Sequence, residues 1–195
     1  MQDHPLLISS IFEHAVSNYG EQEIVSNTVE GGIHRYNYSS WGKRTKKLAN
    51  ALKSLNLQQG DKVGTLAWNG YRHLEIYYAT SSSGLICHTI NPRLHPDQVS
   101  YIVNHAEDKV LCVDLNILPL IEKASENFET VEFLVVMTDA KNMVKPKVKD
   151  DIKVICYEDF IKDETDQFIW PQLDEKTASS LCYTSGTTGN PKGVL

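Results

Sequence analysis

The chain lacks any excess of positive charge. Its 195 residues carry 19 Lys and Arg against 25 Asp and Glu, a net charge of −6. A nucleic-acid-binding surface needs a basic footprint for the phosphates, so no nucleic-acid partner is expected. The densest basic stretch, Lys145 to Lys149, runs straight into Asp150 and Asp151 and reads as a solvated loop. Long apolar runs are also missing. The longest, Phe133 to Met137, is far too short for a transmembrane segment. The opening Met-Gln-Asp-His-Pro-Leu-Leu has no basic region leading into an apolar one, so it is not read as a secretory leader. Cysteine is sparse, and Cys87, Cys112, Cys156 and Cys182 show no metal or redox spacing. Each lies in a run that reads as a strand, so all four are expected as buried, reduced thiols of a cytoplasmic protein. His73, His88, His95 and His105 share no spacing with other ligands, and no metal site is assigned.

What is present is an alternation of helical and strand periods. Leu7, Ile8, Ile11, Phe12, Ala15, Val16 and Tyr19 recur at helical spacing, and Gly20 closes the run. Ile24 to Thr28 and Ile33 to Tyr38 flank Gly31-Gly32 and read as a hairpin. Ser39 or Ser40 is expected to cap a helix whose apolar face holds Leu48, Ala51, Leu52 and Leu55. A strand over Val63 to Ala67, a helix over Tyr71 to Gly84 and a strand over Leu85 to Ile90 follow. Pro96 suits the first position of a helix ending near Ala106, with Leu94 placed to staple onto Val99. Strands over Val110 to Asp114 and Val131 to Met137 bracket a helix near Ile117 to Glu126. Residues 139–151 read as a loop, 157–178 as a mixed connection and Ala178 to Tyr183 as a last strand. This rhythm predicts an α/β fold, a doubly wound and mainly parallel sheet that binds ligands at the carboxyl ends of its strands. Trp68-Asn69 and Asn91-Pro92-Arg93 fall at such ends and read as turns, Trp68 packed beside its asparagine.

The chemistry concentrates at Thr184-Ser185-Gly186-Thr187-Thr188-Gly189-Asn190-Pro191-Lys192-Gly193, where three glycines, four hydroxyls and one lysine follow an apolar strand. Glycine lets backbone amides approach an anion closely, hydroxyls donate to phosphate oxygens or ligate magnesium, and lysine adds a mobile positive charge. A polyphosphate at a strand end calls for that combination. The Walker loop does not fit, because Pro191 stands where glycine is required and Gly193 where Ser or Thr is required.

Thr-Ser-Gly-Thr-Thr-Gly followed by Pro-Lys-Gly resembles the signature of the acyl-adenylate-forming superfamily. Gly60-Asp61-Lys62-Val63, Asn69, Gly84 and Asn91-Pro92-Arg93-Leu94 resemble its N-terminal pattern in order and spacing, so the likeness covers the chain from about Leu7 onward. Thr65 to Asn69, Cys87 to Leu94 and Ile102 to Asp108 are similar to bacterial fatty-acid–CoA ligases, within the branch that includes 3-(methylthio)propionyl-CoA ligases. The resemblance implies a small carboxylic acid, ATP with Mg2+, and CoA as reactants. The acid attacks the α-phosphorus to give acyl-AMP and pyrophosphate, and CoA then displaces AMP. It further implies that Thr184, Ser185, Gly186, Thr187, Thr188, Gly189 and Lys192 bind the ATP phosphates and that Gly193 helps shape the turn. The superfamily's adenine platform, magnesium glutamate, ribose aspartate and catalytic lysine lie beyond this loop. Thr130-Val131-Glu132, upstream of it, is not the magnesium motif. Residues 1–177 are thus expected to be an N-terminal α/β subdomain of a truncated synthetase, inactive alone. Residues 178–195 are expected to open the next part, leaving the last strand without a neighbour. An adenylation domain serving a carrier protein and a stand-alone nucleotide-binding module remain open alternatives.

Overall fold

A computed structural model of the chain describes residues 5–184 and 190–195. Helix α1 (Ile8–Asn18) leads into an antiparallel hairpin of β1 (Glu23–Asn27) and β2 (Ile33–Asn37). Gly31 and Gly32 make its turn at φ +97° and +93°, where a Cβ would be strained. Helix α2 (Tyr38–Ser54) follows directly. Its cap differs from expectation: the Asn37 side chain, one residue before the helix, accepts the Ser40 N–H at 2.9 Å, and Ser39 and Ser40 lie inside the first turn. Of the expected face, Leu48, Ala51 and Leu52 are buried and Leu55, just past the helix, is half-buried.

The remaining elements build one sheet. They are β3 (Lys62–Leu66), α3 (Tyr71–Ser82), β4 (Ile86–Thr89), α4 (Pro96–Ala106), β5 (Asp108–Val113), α5 (Leu118–Ala124), β6 (Phe133–Val136), β7 (Lys153–Cys156), α6 (Tyr157–Lys162), β8 (Ser180–Thr184) and β9 (Lys192–Val194). Short 3₁₀ turns flank α5, so the expected helix near Ile117 to Glu126 is α-helical only in its middle. Helix α4 starts with Pro96 in its first turn, as its sequence predicts, and the structure adds a reciprocal capping box between His95 and Gln98. The strand order is β7-β6-β5-β3-β4-β8-β9. All neighbours are parallel except β8 and β9. Strand β7 is the run ending at Cys156 that reads as a strand, whereas helix α6 falls in the stretch 157–178 expected as a mixed connection. Strand β7 pairs in parallel with β6 and closes that side of the sheet. Strand β8 does not lack a neighbour, since β9 hydrogen-bonds along its outer side.

Each face of the sheet carries its own core. Val99, Ile102 and Val103 of α4 and Ile121 of α5 pack with Leu66, Leu111 and Val113 on one side. Leu48 and Leu52 of α2, Ile76 and Ala79 of α3 and Ile161 of α6 pack with Val63, Cys112 and Val135 on the other. The sheet is doubly wound as predicted. Among the described residues, no helix is long and apolar enough to cross a membrane.

Candidate functional site

Six parallel strands place Leu66, Thr89, Val113, Val136, Cys156 and Thr184 at one edge of the sheet, where such folds bind ligands. Helix α3 leaves β3 toward one face, whereas α4 and α5 leave the neighbouring strands β4 and β5 toward the other. A crevice therefore opens above β3.

Thr184, the last residue of β8, and Lys192, the first of β9, pair across the hairpin at this edge. The Thr184 hydroxyl donates to the Lys192 carbonyl at 3.5 Å, and both residues are exposed. A threonine and a lysine thus face each other at a strand end, residue types suited to binding an anion. Ser185, Gly186, Thr187, Thr188 and Gly189 lie outside the described residues. Gly193 differs from the expected turn position: it lies within β9 opposite Tyr183, where a Cβ would come 3.1 Å from Tyr183 Cζ and from Leu181 Cδ1. Its missing side chain makes room for a ring.

Around the crevice, Trp68 overturns the expectation of a packed tryptophan. It is 41% exposed. Its backbone N–H donates to Asp114 Oδ2 at 2.7 Å, its indole N–H donates to Asn116 at 3.2 Å, and the Arg93 guanidinium lies 5.9 Å from its ring centre. Burial, with the Glu30 charge adding to it, pushes the Asp114 carboxyl above the usual carboxylate range. The chain beyond β3 is also tied down by His73, which sits between Thr65 Oγ1 and the Trp68 carbonyl. Burial lowers the pKa of this imidazole, outweighing the Trp68 hydrogen bond that raises it.

Behind the edge, two arginines clamp three elements and the hairpin. Arg44 of α2 reaches Glu75 of α3 at 2.7 Å and Glu158 of α6 at 3.0 Å. Arg72 of α3 bonds Glu158 at 2.9 Å, Glu30 beside the hairpin turn at 2.7 Å and the Met137 carbonyl at 3.1 Å. No sequence pattern marked these residues, which are brought together only by packing. Cysteine burial held for Cys87, Cys112 and Cys156, whereas Cys182 is exposed on the open face of β8. Among the described residues, no three His, Cys, Asp or Glu side chains converge as a metal site.

A family model described as AMP-binding enzyme matches residues 12–195. The 3-methylmercaptopropionyl-CoA ligase of Ruegeria lacuscaerulensis is 46% identical over all of this chain, which spans 36% of that protein. The medium-chain-fatty-acid–CoA ligase of Ectopseudomonas oleovorans is 45% identical over all of this chain, which spans 35% of it. Among solved structures, the anthranilate CoA ligase AuaEII in complex with anthranoyl-AMP superposes with a TM-score of 0.82 at 24% identity, covering 97% of this chain and 34% of that one. The fold is therefore shared, and the chain spans about a third of the length of these relatives.

Proposed function

Because the chain belongs to the AMP-binding enzyme family, we propose that it forms the N-terminal part of an ATP-dependent acid–CoA ligase. The observation that carries this reading is the likeness, over the whole chain and at 46% and 45% identity, to two relatives named as CoA ligases. A carboxylate is a poor acyl donor. Adenylation gives it a good leaving group: a carboxylate oxygen attacks the α-phosphorus, the bond to pyrophosphate breaks, and the CoA thiolate later displaces AMP at the acyl carbon. Such a reaction depends on positioning and on spreading the charge of the departing pyrophosphate. Thr184 and Lys192 at the strand edge suit that task, and Ser185, Gly186, Thr187, Thr188 and Gly189 complete the proposed phosphate site.

Magnesium would enter with ATP. The described residues supply no carboxylate cluster for it, so its protein ligands are not assigned to them. We keep the division at 177/178, with β8 opening the next part of the ligase, and a cytoplasmic location. For the acid, we rank medium- and long-chain fatty acids first and 3-(methylthio)propionate close behind, since relatives named for both kinds match almost equally.

The test is a panel of acids incubated with the whole ligase, ATP, magnesium and CoA, reading AMP and thioester. Turnover of an aliphatic acid to its CoA thioester is the expected result. Preferential turnover of an amino acid, or AMP release without thioester, would overturn the assignment and favour an adenylation domain serving a carrier protein.

A further inference from the structure

Four residues, one each from β4, α4, β5 and β8, form a row under the sheet edge. Asp108 begins β5, and its carboxylate bonds His88 Nδ1 of β4 with both oxygens, at 2.7 and 3.0 Å. Both side chains are fully buried. They are not on adjacent strands, because β3 runs between them. The β3 residue opposite His88 is Gly64, and a Cβ there would sit 2.9 Å from Asp108 Oδ2. The missing side chain lets the pair meet across the central strand.

The His88 ring lies 5.2 Å from the ring of Tyr183 on β8. On its other flank Tyr183 faces Gly193, whose absent Cβ leaves the space it occupies. Its hydroxyl is 2.6 Å from His105 Nδ1 at the end of α4. The His105 ring is itself stacked on Tyr101 at 5.5 Å. Burial, together with the Asp108 charge, pushes the Tyr183 phenol above its ordinary pKa. Tyr183 is thus held by an imidazole pair, a glycine and a hydrogen bond, and the residue after it is Thr184.

We propose that Tyr183 is a positioning residue for the phosphates of ATP: locked by His105 and braced on the His88–Asp108 pair, it fixes the paired strand ends that carry Thr184 and Lys192. This rests on the ATP-dependent ligase reading. Tyr183 acts through its neighbours and touches no reacting atom.

The test uses the whole ligase with Tyr183→Phe, His105→Ala, their double variant, and His105→Gln, whose amide can bond the phenol. Tyr183→Phe and His105→Ala should each raise the KM for MgATP by about two- to tenfold, the change expected from one lost hydrogen bond. The double variant should be no worse than either single one, because both remove the same bond. His105→Gln should recover most of the affinity, and thioester formation from preformed acyl-AMP should be unchanged in every variant. An unchanged KM for MgATP, additive effects, or equal slowing of the thioester step would overturn the proposal. Equilibrium dialysis of MgATP without acid separates the two claims. If the wild-type ligase turns over no acid, the ligase reading fails. The positioning role is then decided by whether Tyr183→Phe and His105→Ala weaken MgATP binding or leave it equal to wild type.

Discussion

Lys192 is the one cation in the proposed phosphate motif, and it sits opposite Thr184 at the strand edge. In the proposed reaction pyrophosphate leaves in the first step, so Lys192→Ala should slow acyl-AMP formation far more than the transfer of a preformed adenylate to CoA. Removing one donor to a transition-state oxyanion costs about 2.7–4 kcal/mol in comparable sites. Single-turnover assays begun from ATP and from acyl-AMP measure the two steps apart, and equal slowing would contradict the role. Gly64 makes a second residue-scale prediction. A methyl there would sit 2.7 Å from Leu111 Cδ1 and 2.9 Å from Asp108 Oδ2, so something must shift. Gly64→Ala should destabilise the protein by about 1–3 kcal/mol, as overpacking of a core does, with the loss read in urea unfolding. The phosphate motif was legible as residues because its glycines, hydroxyls and lysine lie next to one another. Gly64 carried no such sign: its role depends on His88 and Asp108, which its own neighbours in sequence do not reveal.

Elements are joined here by charges as well as by apolar packing. Glu158 of α6 accepts from Arg44 and Arg72, which belong to α2 and α3. Burial opposes its charged form, but the hydrogen bonds and charges of the two arginines outweigh burial and hold the carboxyl below the usual carboxylate range. The folded pKa thus lies below the unfolded one. The stabilisation is full above the usual carboxylate range and is lost as pH falls through the folded value, because the unfolded chain takes up the proton more readily. Glu158→Gln should cost about 1.5–3 kcal/mol at neutral pH, the scale of hydrogen bonds to charged groups. The gap from wild type should close on acidification, and urea unfolding at a series of pH values checks it. A gap that stays constant with pH would show that Glu158 contributes by shape and not by charge. Helix α2 makes a smaller prediction: Asn37→Ala removes its cap and should cost about 1 kcal/mol, while Ser39→Ala should not. The helix itself was plain from its period. Its capping residue was not, because asparagine and two serines compete within four residues and only the backbone angles decide among them.

As a whole, the chain spans about a third of the length of its curated relatives, and we expect the 195 residues alone to release no pyrophosphate in response to any acid. The groups that would hold adenine, ribose and magnesium are expected beyond the phosphate motif. Acid-dependent pyrophosphate release from these residues by themselves would show that the site is more complete than proposed. Sequence by itself determined the α/β class, most helices and strands, and the run of residues proposed to bind phosphate. Each is written in short-range information: hydrophobic periods of two or 3.6 residues, a proline at a helix start, a run of glycines and hydroxyls. Tertiary structure alone decided the strand order, and with it which distant residues meet. Placing β3 between β4 and β5 joins His88 to Asp108 over a glycine, and placing β8 beside β4 sets Tyr183 against that pair. The Arg44–Glu158 clamp likewise spans 114 positions of sequence. No periodicity records such contacts, because they come from burying both faces of one sheet at once.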